Sequence, residues 1–465
     1  MGIDNAKFTP GRALTLVALI MLCLSFNPVL AQGVSVPTTE HDPAIAVEWM
    51  DLTYRIVKQE AVNAPAASRI YAYAGVTLYE AVVNGMPENY SMAGQVTGLP
   101  DLPLPEEDEV YDWPSVANAA LAMVLEGLFP NGSEETLQMI ADLQEKWVGV
   151  RVEEVGEEVV DRSLEYGEVL AQELLDWIAD DNYAATRDVA YELPTGDASY
   201  YVLTTEGTRP VEPFWGTLRP FALFYPEYCN VPLNMPFDTD ENSAFYAQAN
   251  EVKEVGENLT PEQQEIARFW LDTPGETGAP SGHWVSIENQ LVELLDMNLG
   301  RAAEMYALVG MSLADAFISA WSLKYQVMLL RPETYIREYI RRNWQPYIQT
   351  PPFPEYPSGH SVASGAAAEV LTRMFGVVAF TDRTHIIYEH EPLQRSFTSF
   401  EAAANEAAIS RLYGGIHYRV AIENGLRQGR CVAQQVLDNI QLPRGNEYHR
   451  RVGKSQLHWQ PLQTR

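Results

Sequence analysis

The sequence has few cysteines and few basic residues. Its 465 residues include 3 Cys, and 31 Lys and Arg stand against 63 Asp and Glu, which gives a formal net charge of −32. A nucleic-acid partner requires a basic surface to neutralise its phosphates, so this charge argues against one. The same charge disfavours docking on anionic membranes. The cysteines also lack the spacing of a zinc or thiol redox site.

Long apolar runs are scarce beyond the N-terminus. The chain starts with a segment that carries Lys7 and Arg12, continues with ALTLVALIMLCLSF, and reaches the small residue Ala31 through NPVLA. A basic start, a short apolar run and a small-residue end predict a secretory signal peptide at residues 1–31. The run is shorter than the ~20 residues of a membrane span, so we expect no integral membrane segment after cleavage. The expected location is periplasmic or secreted.

Export would place Cys229 and Cys431 in an oxidising compartment. The two side chains can pair there, but two buried free thiols are an equal alternative, because the sequence gives no distance between them. The sequence is silent about the oligomeric state.

The pattern of apolar residues predicts an all-α fold for the mature chain. Apolar residues recur at three- and four-residue spacing in most segments, and alternating strands are scarce. We predict an N-terminal helical region at 32–240 and a catalytic helical region at 241–465. Residues from about Asn182 to Asp240 form an irregular excursion over the surface in this reading. One helical stretch is predicted from Ser399 to about Leu437, and Thr260 with Gln263 forms a capping box at a helix start.

Three separated pieces of the C-terminal third carry donors and cations. They are Lys324-x6-Arg331-Pro332, Pro357-Ser358-Gly359-His360 and Ser410-Arg411-x5-His417. The second piece opens a helix, where free amides and the helix dipole attract anions. A set of cations, amides and imidazoles of this kind suits a tetrahedral oxyanion.

The order and spacing of these pieces resemble the signature shared by vanadium-dependent haloperoxidases, bacterial acid phosphatases and type-2 phosphatidic acid phosphatases. The resemblance implies helical bundles of that type. In a haloperoxidase it implies vanadate as cofactor, with His417 as the metal ligand and hydrogen peroxide and a halide as substrates. Oxygens of the vanadate would be held by a set of five residues: Lys324, Arg331, Ser358, Gly359 and Arg411. Lys324 would also polarise peroxide, and His360 would be the acid–base.

Pro-Ser-Gly-His occurs twice, and position selects the catalytic copy. His360 lies between the two basic pieces, whereas His283, in the copy at 280–283, precedes them all. The earlier stretch resembles a haloperoxidase segment whose Asp holds the acid–base His, which implies that role for Asp272. His283 is then expected at the pocket entrance, or as a partly buried structural residue.

Two features bear on the choice between activities. The family usually has an Asp four residues after the second His, where this chain has Ala421. His417 is therefore expected to lack a carboxylate partner, which weakens both activities. Trp321 and Phe353 resemble aromatic residues of a chloroperoxidase halide pocket, and ordinary core positions are their alternative. A haloperoxidase is the preferred reading. The alternatives are a phosphatase that hydrolyses phosphate esters through His417 and a non-catalytic oxyanion-binding protein.

Overall fold

The computed structural model describes residues 34–444, so the predicted signal peptide lies outside the described part of the chain. Within those residues the protein is helical, as the apolar periodicity predicts. The α-helices are α1 (Ala44–Gln59), α2 (Ala64–Val82), α3 (Trp113–Leu128), α4 (Glu134–Val155), α5 (Glu157–Ala179), α6 (Tyr183–Thr186), α7 (Ala244–Glu257), α8 (Pro261–Phe269), α9 (Ala279–Leu294), α10 (Leu299–Val327), α11 (Pro332–Tyr339), α12 (Gly359–Phe375), α13 (Thr384–Tyr388), α14 (Phe400–Tyr413) and α15 (Arg419–Asn439).

Short elements complete the described chain. Three 3-10 turns occupy Thr38–Glu40, Val83–Gly85 and Trp215–Thr217. The described residues contain one small sheet, in which β1 (Phe380–Asp382) and β2 (Arg395–Phe397) pair antiparallel. The expected all-α class is therefore confirmed.

The centre of the fold is α10, which packs against α2 and α12. Glycine allows the closest of these approaches, since a Cβ on Gly75 would lie 2.5 Å from the carbonyl oxygen of Tyr306. Among the described helices, α10 alone is long and apolar enough to cross a membrane, but its apolar window is entirely buried inside the protein. It is accordingly the core helix, and it delivers Lys324 in its last turn to the buried interior. One hydrophobic cluster takes side chains from both sides of residue 240, and the proposed division of the chain there stays a prediction.

Local sequence signals place several helix starts. The predicted capping box is present in α8, where the Thr260 side chain accepts from the Gln263 amide and the Gln263 side chain accepts from the Thr260 amide. The helical stretch predicted from Ser399 to about Leu437 is not continuous, because it opens at the Gly414-Gly415 pair. It divides into α14 and α15, and Gly415, with φ of +79°, lies in the break. A left-handed residue cannot continue a helix, so the chain turns there and leaves His417 in the connection.

The excursion at about 182–240 is irregular as predicted, but it does not stay on the surface. Tyr201, Trp215 and Phe221 on it are buried. The carboxylate of Asp315 on α10 accepts from three successive excursion amides, at 2.7 Å from Phe221, 2.8 Å from Ala222 and 3.0 Å from Leu223. These bonds satisfy backbone groups that burial would otherwise leave unpaired.

A disulfide joins Cys229 of the excursion to Cys431 of α15, with the two Cα atoms 5.7 Å apart. This settles the alternative left open by the sequence in favour of pairing. The bond closes a loop across a sequence separation of 202 residues. Long loops are those whose closure removes most entropy from the unfolded chain.

We expect a Cys229→Ser/Cys431→Ser double variant to lose about 2–5 kcal/mol of unfolding free energy. The measurement is urea unfolding of oxidised and reduced wild type beside the double variant. Reductant should destabilise the wild type and leave the variant unchanged. Equal stability of all samples would contradict a stabilising disulfide.

Candidate oxyanion site

The structure brings the three sequence pieces together in one buried place. Lys324 ends α10, Arg331 precedes α11, Ser358 caps α12, Arg411 lies in the last turn of α14, and His417 follows it. All five side chains are buried. Helix ends and connections from four parts of the chain therefore meet around one set of donors.

His417 is fixed by a hydrogen bond on each ring nitrogen. Its Nδ1 lies 2.9 Å from Oε1 of Glu355, and its Nε2 lies 3.1 Å from Nη1 of Arg331. A guanidinium only donates, so Nε2 must accept, and the ring proton resides on Nδ1 facing the carboxylate. Burial lowers the pKa of His417 well below its usual value, and the nearby Arg331 and Lys324 charges lower it further. The ring is thus a neutral imidazole whose Nε2 lone pair faces the cations.

Glu355 corrects the expectation that His417 lacks a carboxylate. Ala421 is fully buried and offers none, but its carbonyl accepts from the Ser358 amide at 3.2 Å. The carboxylate comes instead from the segment before α12. Glu355 also accepts from the Tyr418 amide at 2.9 Å, and burial raises its pKa to about 7 against the lowering effect of Arg331 and Lys324. The imidazole therefore keeps the orientation and the tautomer that a carboxylate partner confers.

Lys324 is satisfied by backbone carbonyls. Its Nζ donates to the carbonyl oxygens of Pro354 at 2.9 Å and Glu355 at 3.0 Å, and also to that of Pro357. Burial lowers its pKa well below the usual value, and Arg331 adds to that shift. To contact an anion, the ammonium group must give up its hydrogen bond to one of these carbonyls and donate to the anion instead. Lys324 therefore also ties the 354–357 segment to α10.

Arg331 and Arg411 carry the remaining charge. Arg331 donates through Nε to the carbonyl of Phe353 at 2.9 Å, while its buried Nη2 has no hydrogen-bond partner. Arg411 donates through Nε to Oγ of Ser410 at 2.8 Å. Burial lowers the pKa of each guanidinium to about 10, so both stay charged at neutral pH.

The start of α12 faces aromatic side chains. Ser358 accepts the Ser361 hydroxyl at 2.9 Å, and a Cβ on Gly359 would lie 3.3 Å from the Trp321 ring. The Trp321 and Phe353 rings lie 4.9 Å apart, and Nζ of Lys324 is 5.5 Å and 5.1 Å from their centres. Trp321 is buried, whereas Phe353 is only partly so. The two aromatic residues thus border the cations.

His360 lies beside Asp272, as the sequence analysis expects. Its Nε2 is 3.3 Å from Oδ2 of Asp272, without the alignment of a hydrogen bond, and its side chain is 18% exposed. Burial lowers the pKa of His360 to about 4; Arg411 lowers it too, and Asp272 opposes the shift. At neutral pH this imidazole is neutral, and it can accept a proton.

His283 does not lie at an entrance, which corrects that expectation. Its side chain is 1% exposed, and its two ring nitrogens contact two carboxylates, Asp272 and Asp382. A side chain enclosed in this way cannot contact a substrate. Of its two alternative readings, the structural one holds.

The residue set fits a tetrahedral oxyanion. A buried guanidinium nitrogen without a partner is rare and costly, and Nη2 of Arg331 is one. The amides at the α12 start, the Arg411 guanidinium and a second imidazole complete the donors that such a group requires. Nothing in the set resembles a thiolate or haem ligand.

Comparisons with known proteins agree with this geometry. The profile of the VCPO second helical-bundle domain matches residues 339–445. The fold resembles the crystal structure of a bacterial vanadium-dependent iodoperoxidase with a TM-score of 0.80 and 34% identity, over 87% of this chain and 98% of that chain. A holo-type bacterial vanadium-dependent chloroperoxidase superimposes with a TM-score of 0.61 and 14% identity, over 84% of this chain and 94% of the other. No curated protein sequence matches the chain.

Sequence reasoning missed two carboxylates. Glu355 is the one charged residue in PPFPEYPSGH, and a lone charge in an apolar, proline-rich stretch was an available signal. Asp382 reaches His283 across 99 residues of sequence, and no local pattern marks it.

We expect Glu355→Ala to weaken vanadate binding about 10–100-fold, because His417 loses the acceptor that fixes its tautomer. Glu355→Gln retains an acceptor oxygen and should lose much less. Calorimetric titration of both variants with vanadate measures the difference. Equal losses in the two variants would show that the tautomer is not the cause.

The pKa of His360 predicts a pH dependence of stability. Its folded value of about 4 lies below the ordinary 6.5, so the neutral ring stabilises the fold above pH 6.5 and this contribution is lost as the pH falls through 4. We expect the unfolding free energy to fall less over that range in His360→Gln than in wild type. Urea unfolding at several pH values tests this, and identical slopes would contradict it.

Proposed function

The chain belongs to the family of vanadium-dependent haloperoxidases, and on that premise we propose that it oxidises a halide with hydrogen peroxide at a vanadate bound beside His417. One observation carries the proposal: a neutral imidazole, held by Glu355, turns its Nε2 toward a buried guanidinium with an unpaired nitrogen. A phosphate-like group would supply the negative charge and the hydrogen-bond acceptors that these donors require.

The pocket residues divide the work of holding that group. His417 would provide the metal ligand through Nε2, whose lone pair would then exchange its hydrogen bond from Arg331 for the metal. The oxygens of vanadate would be held by the five residues that the resemblance names: Lys324, Arg331, Ser358, Gly359 and Arg411. When bound, vanadate supplies a Lewis-acidic centre at which peroxide becomes reactive toward halide without a redox change of the metal.

His360 is the proton carrier in this proposal. Its Nε2 lies 3.3 Å from Oδ2 of Asp272, so a carboxylate is close enough to stabilise the charge of a proton that the ring takes up. A neutral ring at neutral pH can take a proton from peroxide and return it later. Asp272 stays ionised, because the charge on His283 and its hydrogen bond hold its pKa well below the usual range against burial.

We assign the halide side of the pocket to Trp321 and Phe353. Both rings lie next to the Lys324 ammonium. Iodide is the first halide to test, because the 34% identical relative is described as an iodoperoxidase. His283 has no part in this assignment.

A phosphatase is the second candidate. In that reaction His417 would attack phosphorus and His360 would protonate the leaving oxygen. The contact with Glu355 favours it too, since a carboxylate-held imidazole is a better nucleophile. Family membership places the haloperoxidase first.

The location proposed for the protein is periplasmic or secreted. The pairing of Cys229 with Cys431 supports an oxidising compartment. The signal peptide itself lies outside the described residues.

The test is peroxide-dependent oxidation of iodide, bromide and chloride by purified mature protein, with and without vanadate. We expect iodide oxidation that requires vanadate and falls at least 100-fold in His417→Ala. Phosphate-ester hydrolysis is measured on the same samples.

Vanadate-independent oxidation, or full activity in His417→Ala, would overturn the proposed site. Ester hydrolysis without halide oxidation would select the phosphatase. Vanadate binding with neither activity would select a non-catalytic oxyanion-binding protein.

A further inference from the structure

His283 belongs to a buried chain of three ionisable side chains that ends at the acid–base residue. Its Nδ1 lies 2.8 Å from Oδ1 of Asp272, and its Nε2 lies 2.8 Å from Oδ2 of Asp382. All three side chains are nearly or fully enclosed, at 1%, 2% and 0% exposure. The other oxygen of Asp272 is the one that faces His360.

Asp272 depends on this contact for its orientation. Asp272 has φ of +50°, in the left-handed region that few residues other than Gly, Asn and Asp adopt. It lies in the turn between α8 and α9, where no strand or helix fixes its side chain. A carboxylate has two-fold torsional freedom, so a bond to Oδ1 also decides where Oδ2 points.

His283 is itself held in place on both sides. Trp270 stacks on its ring with centroids 4.3 Å apart and planes 21° apart. Asp382 is held in turn by the amide of Thr384 at 2.9 Å and its hydroxyl at 2.7 Å. The two carboxylates raise the pKa of His283 to about 10 against the opposing effect of burial, so the ring carries a charge and donates from both nitrogens.

We propose that His283 is a positioning residue of the haloperoxidase reaction: by bonding Oδ1 of Asp272, it presents Oδ2 to His360. The proposal rests on the proposed function for its catalytic consequence, but the geometry it describes exists in the protein without vanadate. The Pro-Ser-Gly-His copy at 280–283 thus acts on the copy at 357–360 through the carboxylate of Asp272.

The charged groups around these rings define the controls. His360 is influenced by Asp272, Arg411 and His283, and it acts in turn on His417. His283 faces Asp272 and Asp382, and the ring of His385 lies 5.9 Å away. His385 is buried as well, but it bonds the carbonyl of Phe269 and the carboxylate of Glu389 instead.

Two substitutions at position 283 separate position from charge. Asn places its amide donor near the site of Nδ1, facing Asp272, while Gln places it near Nε2, facing Asp382. Both remove the positive charge. His283→Gln should therefore free Asp272, and His283→Asn should largely hold it.

The readout is the titration of His360 in vanadate-free protein, followed by NMR of 13C-labelled histidine rings and assigned with His360→Gln. Loss of the His283 charge raises the His360 midpoint in both variants, but only His283→Asn keeps Asp272 directed at His360, and that carboxylate also raises the pKa. We therefore expect the midpoint to be lower in His283→Gln than in His283→Asn, by on the order of one pH unit. In vanadate-loaded protein, the acid limb of the pH profile of kcat should likewise lie at lower pH in His283→Gln than in His283→Asn. His385→Gln is the matched control and should shift neither.

Equal midpoints in the Gln and Asn variants would overturn the proposal, because the whole effect would then come from charge. A higher midpoint in His283→Gln than in His283→Asn would overturn it as well. Thermal unfolding establishes that each variant is folded. If His283→Gln does not fold, Asp382→Ala removes the anchor of Nε2, whereas Asp382→Asn loses the same charge and keeps an acceptor oxygen. The His360 midpoint should be lower in Asp382→Ala than in Asp382→Asn, and equal midpoints there would also overturn the proposal. Because the titration needs no turnover, a failed halide assay leaves this test intact.

Discussion

The site depends on keeping several positive charges out of water at one point. Lys324, Arg331 and Arg411 are almost wholly buried, and the carboxylate of Glu355 beside them contacts the imidazole of His417. Burying a charge is costly unless it is paired, and burying like charges together adds repulsion. The fold meets this cost with backbone carbonyls on Lys324 and Arg331, which come from the 353–357 segment and from Ile416. What remains is a concentrated positive potential that an oxyanion would neutralise.

Three imidazoles lie in or beside this environment and differ in protonation state. His417 and His360 are both kept neutral by burial and nearby cations, whereas His283 is kept charged by two carboxylates. The difference comes from neighbours, since all three rings are largely removed from solvent. A motif repeated in sequence has thus acquired opposite protonation states in space.

The meeting of the three motifs was expected from the family resemblance, and the helical class was predictable, because the periodicity of apolar residues is local. Thr260 and Gln263 show the same for a helix start. The carboxylate partner of His417 was not predictable, since the usual position holds Ala421. The residue that replaces it, Glu355, lies 62 residues earlier in the chain. The break between α14 and α15 lies at the Gly414-Gly415 pair, where Gly415 has a positive φ within a stretch that is otherwise helical. Asp382 shows the general limit: a long-range contact leaves no trace in local spacing.

The carbonyl of Val211 on the irregular excursion accepts from the indole of Trp321 at 3.1 Å and from the hydroxyl of Tyr325 at 2.7 Å. One side of the pocket is therefore anchored to a connecting segment, while the cations stand on helix ends. Connecting segments vary in sequence and length more freely than the elements they join. In descendants of this chain, this side of the pocket can therefore change in shape while the buried cations and His417 stay as they are.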